Sequence, residues 1–348
     1  MSFKEKIKSV LLCSGILRFR QVLSSRSVLI VAYHSVSANR QAQSDIISPG
    51  ITTDADRFDE QMRILREEYN PVTLDEISDW LKGICELPAR SVAVTFDDGF
   101  ADNYYVAAPI MEKYGIRGTI YLTADAVQRN ELPWFCRILF LFQKAQKNKI
   151  VLTDTATGRT WNLGNPAENR EAYVNYGFPC AGLVGDELRD YVGKLEAWFG
   201  FHFDKSDQLN SDQFCEDQCC GMMTFDQARE LRQRGHIIGN HTFSHCNLAH
   251  IPAEKLRDEI GAAGEIIAAG LGERVEHFSY PHPCYEPQWN EASLLETATL
   301  AYKTAVLTSF GLVKRNCSRL LLPRIMLSNQ NAKEFRWKLE TALCGIET

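Results

Sequence analysis

The chain has no apolar run of the roughly eighteen residues needed to cross a bilayer, no CxxC pair and no stripe of lysine and arginine. Without the apolar run, no segment is expected to span a membrane. Without paired cysteines, the 11 thiols are not expected to form a zinc ribbon or a redox motif. Cys13, Cys85, Cys136, Cys180, Cys246, Cys284, Cys317 and Cys344 are dispersed as buried thiols are, which suits a reducing compartment. The cluster Cys215, Cys219 and Cys220 sits beside acidic residues with no second pair, and reads as structural or incidental. Lysine and arginine total 38 against 44 acidic residues, a net charge of -6, so nucleic acid is set aside as a partner.

What is present is ordinary globular material, 348 residues with 45% hydrophobic and 24% charged content. Lys4, Lys6 and Lys8 precede the apolar stretch from Val10 to Leu17, but Arg18, Arg20 and Arg26 follow and no small-residue cleavage site appears. Residues 1–26 are therefore expected to form an amphipathic helix or tail rather than an export signal. The expected location is cytoplasmic, with peripheral contact to the inner face of the membrane through this tail.

From Ser27 the pattern becomes regular. Ser27 to Tyr33 (SVLIVAY) and Ser91 to Phe96 (SVAVTF) have the continuous apolarity of strands covered on both faces. Phe58, Met62, Leu65 and Tyr69 recur at helical spacing, and Thr73 with Glu76 forms a capping box for a further helix. Another helix, Ala107 to Tyr114, leads to a strand at Gly118 to Leu122. After Thr224 and its partner Gln227 come a helix ending at Gly235 and a strand at His236 to Asn240. Leu256, Ile260, Ala263, Ile267 and Leu271 predict one long amphipathic helix closed by Gly272. Strands are expected near His277 to Tyr280, Thr304 to Leu307 and Arg324 to Leu327, then a helix from Ala332. Such alternation predicts an α/β fold with a parallel sheet, and about seven βα units would close into a distorted barrel over residues 27–348. Residues at about 126–222 lose the rhythm and read as a large, partly helical insertion, with a hairpin from Val151 to Leu163.

Reactive groups in parallel α/β folds gather past the carboxyl ends of strands. Asp97 and Asp98, then His241 and His245, then Tyr280 to Tyr285 all occupy such places. Two imidazoles and a carboxylate make a facial set for zinc or a related divalent ion. A helical turn between His241 and His245 would bring both to one side. HTFSH alone is equally compatible with ordinary hydrogen-bonded histidines, and Asp98-Gly99 alone with a turn. Two adjacent carboxylates at the end of a buried strand, however, repel and need a compensating cation or buried partner, and a metal would supply it. One would ligate it while the other took a proton from bound water.

TFDDG (Thr95 to Gly99), HTFSH (His241 to His245) and FSYPHPCY (Phe278 to Tyr285) resemble, in order and spacing, motifs of the NodB-like polysaccharide deacetylase family. YHSV (Tyr33 to Val36), MMTFDQARELRQRG (Met222 to Gly235) and LPRI (Leu322 to Ile325) resemble its branch associated with bacterial exopolysaccharide and surface-glycan synthesis. The resemblance runs through nearly the whole chain from about residue 27. It implies a distorted (β/α)7 barrel of the NodB type, Asp97 as base, Asp98, His241 and His245 as metal ligands, and zinc as the divalent cofactor. The substrate it implies is an acetylated sugar or glycan precursor, lipid-linked in some cases. Pro281 and Tyr285 would line the substrate groove, with a backbone N–H near Tyr285 facing the oxyanion.

The chain departs from that family in three places. Ser279 stands where the family often has the arginine that orients the base, and Arg324 is the expected substitute. His282-Pro283 replaces the usual Tyr-Gly. No histidine occurs in Ile325 to Asn329, where the family's leaving-group acid sits; His282 and His34 are the candidates to replace it, and His34 is equally a substrate-binding candidate. His250, His236, His277 and His202 are weaker ones. Of the aromatics Tyr33, Tyr121, Trp134, Tyr280, Tyr285 and Trp289, Trp134 and Tyr285 are expected in loops where they could meet a sugar. Two other readings share the same residues: a hydrolase of a small amide or O-acetyl ester, and a non-catalytic glycan-binding homologue.

Overall fold

The strand expected at the start of the chain is β1, Ser27–Tyr33, and every residue after Ser27 is buried, as its unbroken apolarity requires. The computed structural model describes residues 27–38, 46–200, 221–282, 286 and 288–346. The tail at 1–26, Cys13, the Cys215 cluster, His202, Pro283, Cys284 and Tyr285 lie outside the described residues.

β1 is followed in the barrel by β2 (Ser91–Phe96), β3 (Thr119–Leu122), β4 (Ile237–Asn240), β5 (His277–Ser279) and β6 (Thr304–Val306). These strands pair in parallel and in chain order, so every barrel crossover advances in one direction. The two ends of the curl meet through one short segment. Leu322 bridges Val306 on β6, and a few residues later β7 (Ile325–Met326) pairs with Val31 and Ala32 of β1. This gives the seven staves expected of the distorted barrel. Close packing inside it forbids even a methyl at Gly239. A Cβ there would lie 2.3 Å from the Tyr121 ring and 3.1 Å from the His277 carbonyl oxygen.

Outside the sheet, α1 (Ala55–Glu68) turns Phe58, Met62 and Leu65 inward, and α2 (Leu74–Leu81) begins at the complete Thr73–Glu76 capping box. The helix α3 (Ala108–Lys113) is preceded by a π turn at Asn103–Ala107. Between β3 and β4 come α4 (Ala124–Arg129), α5 (Trp134–Lys147), α6 (Pro166–Gly177), α7 (Gly185–Phe199) and α8 (Phe225–Gln233). A two-stranded hairpin, Val151–Thr153 with Thr160–Asn162, lies between α5 and α6. Ile138, Trp161 and Phe199 of this stretch join the same apolar core as β1 and β2, so it packs continuously with the barrel. The chain ends with α10 (Glu291–Thr299) and α11 (Ala332–Leu343), both opened by capping boxes from Asn290 and Asn331.

The long helix predicted from Leu256 to Leu271 is interrupted. Ala253–Leu256 leads into a π turn at Arg257–Ala262 before α9 (Ala263–Leu271) resumes. The apolar spacing survives this because one added residue per turn still leaves Ile260, Ala263 and Ile267 inward. No helix among the described residues is long and apolar enough to cross a membrane.

Replacing Gly239 by alanine forces Tyr121 off its rotamer inside a filled barrel, and is expected to cost about 1–3 kcal/mol. Chemical denaturation of the purified variant measures this, and an unchanged midpoint would contradict the packing described.

Candidate active site

The barrel brings its carboxyl strand ends to one mouth, and four polar elements meet there. Asp97 and Asp98 follow β2, His241 to His245 follow β4, Ser279 ends β5, and Arg324 precedes β7. Asp98 takes a left-handed conformation, φ 73°, with Gly99 at φ 82° behind it. A Cβ on Gly99 would approach Leu122 to 2.7 Å, so the tight turn that aims Asp98 inward requires glycine.

Asp98 Oδ1 lies 3.6 Å from His241 Nε2 and 3.5 Å from His245 Nε2. The three atoms fall within 4.8 Å of one another and could hold a metal ion. Asp98 Oδ1 is buried with no hydrogen-bond partner among the described residues, a costly state that a cation would relieve. Burial, then the charge of Asp97, pushes the Asp98 carboxyl well above the usual range. Burial lowers both imidazoles, favouring the neutral form that ligation needs. His241 Nδ1–H donates to the Ser279 carbonyl at 2.8 Å, which leaves its Nε2 lone pair facing Asp98. Two imidazole nitrogens and one carboxylate oxygen make a donor set that suits a divalent ion.

The histidines converge by a route other than the expected helical turn. Residues 241–245 form a loop with Thr242 at φ 69° and His245 at φ 58°. Its hydrogen bonds come from three sides. Asn240 Oδ1 accepts from Thr242 N–H at 3.0 Å, and the first amides of α4, Ala124 and Asp125, donate to the carbonyls of Thr242 and Phe243 at 3.0 Å each. From the third side the π turn presents Glu259. Its carbonyl accepts from Phe243 N–H at 2.8 Å, and its carboxylate accepts from Ser244 N–H at 2.9 Å and Ser244 Oγ–H at 2.8 Å. Burial raises this carboxyl, with the Ser244 bonds opposing the rise. In sequence Glu259 is indistinguishable from a surface residue of an amphipathic helix, and only the π turn makes it an anchor of the ligand loop.

Asp97 is held by Arg324 through paired bonds, Nη1–H to Oδ1 at 2.8 Å and Nη2–H to Oδ2 at 2.7 Å. Arg324 is fully buried and spends its remaining N–H groups on Leu307 O (2.9 Å), Thr95 Oγ1 (3.2 Å) and Ser279 Oγ (3.0 Å). All five of its donors are thus engaged. Burial alone would raise the Asp97 carboxyl, but the Arg324 guanidinium, helped by His241 and His34, outweighs it and holds the group well below the usual range. The substitute arginine expected from sequence is therefore placed against Asp97. Ser279 contributes as well, donating from Oγ to Asp97 Oδ1 at 3.2 Å, a contact that its place in the motif did not suggest.

His282 sits at φ 65° with its ring 4.8 Å from that of His245, and its Nε2 is buried without a partner among the described residues. Burial, then the neighbouring His241, lowers it to about 4. His34 follows β1 at the same mouth. Burial lowers it also to about 4 against the pull of Asp97, its Nδ1 has no partner among the described residues, and its carbonyl accepts from Asn103 Nδ2 at 2.7 Å. Pro281 is buried beside His282. Trp134 is the first residue of α5 and not part of a loop, yet it still reaches the site, its Nε1 lying 3.4 Å from the His245 carbonyl oxygen. Tyr33, Tyr121, Tyr280 and Trp289 are core residues. His236 and His277 bond to Glu112 and Asp75, away from this mouth.

Comparison with known proteins places this geometry. Residues 86–163 and 206–304, just over half of the chain, match the family model described as polysaccharide deacetylase. YxkH of Bacillus subtilis (strain 168), provisionally named a polysaccharide deacetylase, is 29% identical over 99 residues. That match takes in 28% of this chain and 32% of YxkH, so it spans about a third of the relative's length. Among solved structures, the Streptococcus pyogenes deacetylase PplD, in complex with acetate, aligns over 90% of this chain and 98% of its own with TM-score 0.57 and 18% identity. IcaB from Ammonifex degensii aligns over 91% and 97% with TM-score 0.55 and 15% identity. The BpsB deacetylase domain from Bordetella bronchiseptica aligns over 88% and 98% with TM-score 0.52 and 13% identity. At these identities the likeness is one of fold.

The purified chain is expected to bind one zinc ion, and Asp98→Asn to abolish that binding in a competitive chelator titration. Glu259→Gln is expected to weaken it about 10–100-fold while leaving the folded chain intact by circular dichroism. Unaltered zinc affinity in Glu259→Gln would show that the loop holds its shape without the carboxylate.

Proposed function

The chain belongs to the polysaccharide deacetylase family, and we propose that it hydrolyses the N-acetyl group of an amino sugar in a glycan, with a zinc ion held by Asp98, His241 and His245. The single observation that carries this reading is the juxtaposition at one barrel mouth of that donor set and a second carboxylate, Asp97, locked by Arg324. When bound, such an ion lowers the pKa of water toward about 7 and polarises the acetyl carbonyl.

Asp97 serves as the base. A carboxylate has about four lone-pair sites. Three are taken by the two Arg324 bonds and the Ser279 hydroxyl, which leaves one on Oδ2 to accept the proton of the attacking water. Arg324 keeps the carboxylate ionised and fixes its plane, so no reorientation is needed as the proton moves. The water oxygen bonds to the acetyl carbon, the carbon–nitrogen bond breaks, and the departing nitrogen takes a proton. His282 is the donor in this proposal, because its Nε2 has no partner among the described residues and its ring lies 4.8 Å from that of His245. His34 is left to bind the sugar, with Pro281 shaping the groove and Trp134 flanking it. Products are acetate and a free amine.

Placement in surface-glycan synthesis, a lipid-linked acceptor and membrane docking of the tail carrying Lys4, Lys6 and Lys8 belong to the same proposal. The motif resemblance and the charge pattern support them. Co-sedimentation of the full chain with vesicles rich in anionic lipid, but not with neutral ones, is the expected outcome; no sedimentation with either would remove the membrane part.

Acetate release from chitooligosaccharides tests the activity itself. It should disappear with chelator, return with zinc, and fall at least ~100-fold in Asp97→Asn. His282→Gln should lose about 100-fold on the amide but under about tenfold on p-nitrophenyl acetate, whose leaving group needs no proton. Equal losses on both would take the acid role away from His282. Acetate release confined to esters would favour an O-acetyl substrate, and zinc and glycan binding with no turnover would favour a binding protein.

A further inference from the structure

The exit of β1 carries a set of interactions that the mechanism above does not use. From Val28 to Ser37 only His34 keeps part of its surface open, and its neighbours Tyr33 and Ser35 are fully buried. The His34 ring makes no hydrogen bond among the described residues. Its Nδ1 is buried without a partner, and only the main-chain carbonyl is engaged. His241, His236 and His277 differ, since each has a ring nitrogen bonded to a neighbour. The direction in which the His34 imidazole points therefore rests on its main chain and its packing.

Sheet pairing does not fix that main chain. His34 falls between β1 and the short strand Ser35–Ser37, outside both ladders. The loop after β2 supplies the hold instead, gripping three successive residues. Asp97 N–H donates to the Tyr33 carbonyl at 3.0 Å, Asn103 Nδ2–H donates to the His34 carbonyl at 2.7 Å, and Asp102 Oδ2 accepts from Ser35 Oγ–H. A further bond, Ser35 N–H to the Ile51 carbonyl at 3.2 Å, ties the same exit to the residue before the strand Thr52–Asp54.

Asp102 and Asn103 act as one unit. Asn103 Nδ2 also donates to Asp102 Oδ1 at 2.9 Å, so the carboxylate turns the amide and leaves its other N–H for His34. Both side chains are fully buried, which makes the arrangement costly to distort, because a lost donor strands an acceptor away from water. A staple that served folding alone would have no reason to converge on the one partly open residue of the run.

We propose that Asp102 and Asn103 are positioning residues that fix the main chain at His34, and so hold its imidazole at the barrel mouth where it meets the substrate sugar. The inference rests on the sugar-binding role given to His34 in the deacetylase reading and deepens it. Neither side chain touches the substrate, and both act through His34.

The test compares the full zinc-loaded chain with Asn103→Leu and with Ser35→Ala, the milder change that guards against misfolding. Both should raise KM for chitooligosaccharide, with kcat/KM falling about tenfold in Asn103→Leu and about threefold in Ser35→Ala. The loss on p-nitrophenyl acetate, which carries no sugar, should be the smaller in each. In a chain already carrying His34→Ala, Asn103→Leu should cost no more than about twofold further, the non-additivity of residues acting through one group. Heteronuclear NMR of chains with isotope-labelled histidines reads the same coupling without turnover. The His34 ring signals, identified by their loss in His34→Ala, should shift or broaden in Asn103→Leu, while those of His241 and His245 keep their zinc-loaded positions. Additive losses, equal losses on the two substrates or none, or a His34 ring that neither substitution moves would overturn the positioning role. A ring that shifts in Asn103→Leu, in a chain whose parent releases no acetate from any glycan, would uphold the positioning and overturn the deacetylase reading instead.

Discussion

The paired contact between Asp97 and Arg324 is the constraint around which the barrel mouth is arranged. Two carboxylates sit side by side at the bottom of a buried site, and one guanidinium lies against them. Ionising both would leave one negative charge uncompensated in a place where charge is expensive, which is what pushes the Asp98 carboxyl well above its usual range. A divalent cation on Asp98 reverses the sign, so the protein's own electrostatics ask for the ion that its donor atoms can hold. Arg324 cannot be exchanged for lysine without loss, because each of its five N–H groups has a separate acceptor drawn from β2, β5 and the segment after β6.

The ligand loop is organised from outside in a comparable way. Residues 241–245 have no regular structure of their own, and their geometry is imposed by α4 on one flank and the π turn at Arg257–Ala262 on the other. Main-chain carbonyls of Glu259 and Ile260 in that one turn point toward the loop. They accept from Phe243 N–H and Asn240 Nδ2–H.

Much of this was legible before any coordinates. β1 and β2 announce themselves because strands covered on both faces need unbroken apolar runs, and the Thr73 and Thr224 boxes mark helix starts by a local chemistry that tertiary context does not override. Asp98, His241 and His245 were legible as polar residue types after strand ends. The way they converge was not: His241 and His245 carry helical spacing, but left-handed residues achieve the same approach, and spacing cannot tell the two apart. Arg324 was reachable only through the family's missing arginine, since nothing local couples it to Asp97 across 227 positions. Glu259 had no signal, because a π turn leaves the apolar period of its helix nearly unchanged. Helix α6 was equally obscure, its apolar and polar residues being spread around the axis without a face.

The last stave of the barrel is also its latch. Leu322 to Met326 is the stretch that joins β6 to β1, and Arg324 lies inside it, so the element that seals the sheet delivers the guanidinium to Asp97 in the same movement. A nascent chain still lacking this stretch could gather both imidazoles and Asp98 yet have no oriented proton acceptor. On the proposed mechanism the oriented base thus arrives together with the final fastening of the cylinder, and a chain cut short before residue 322 would lack it even where Asp98, His241 and His245 meet.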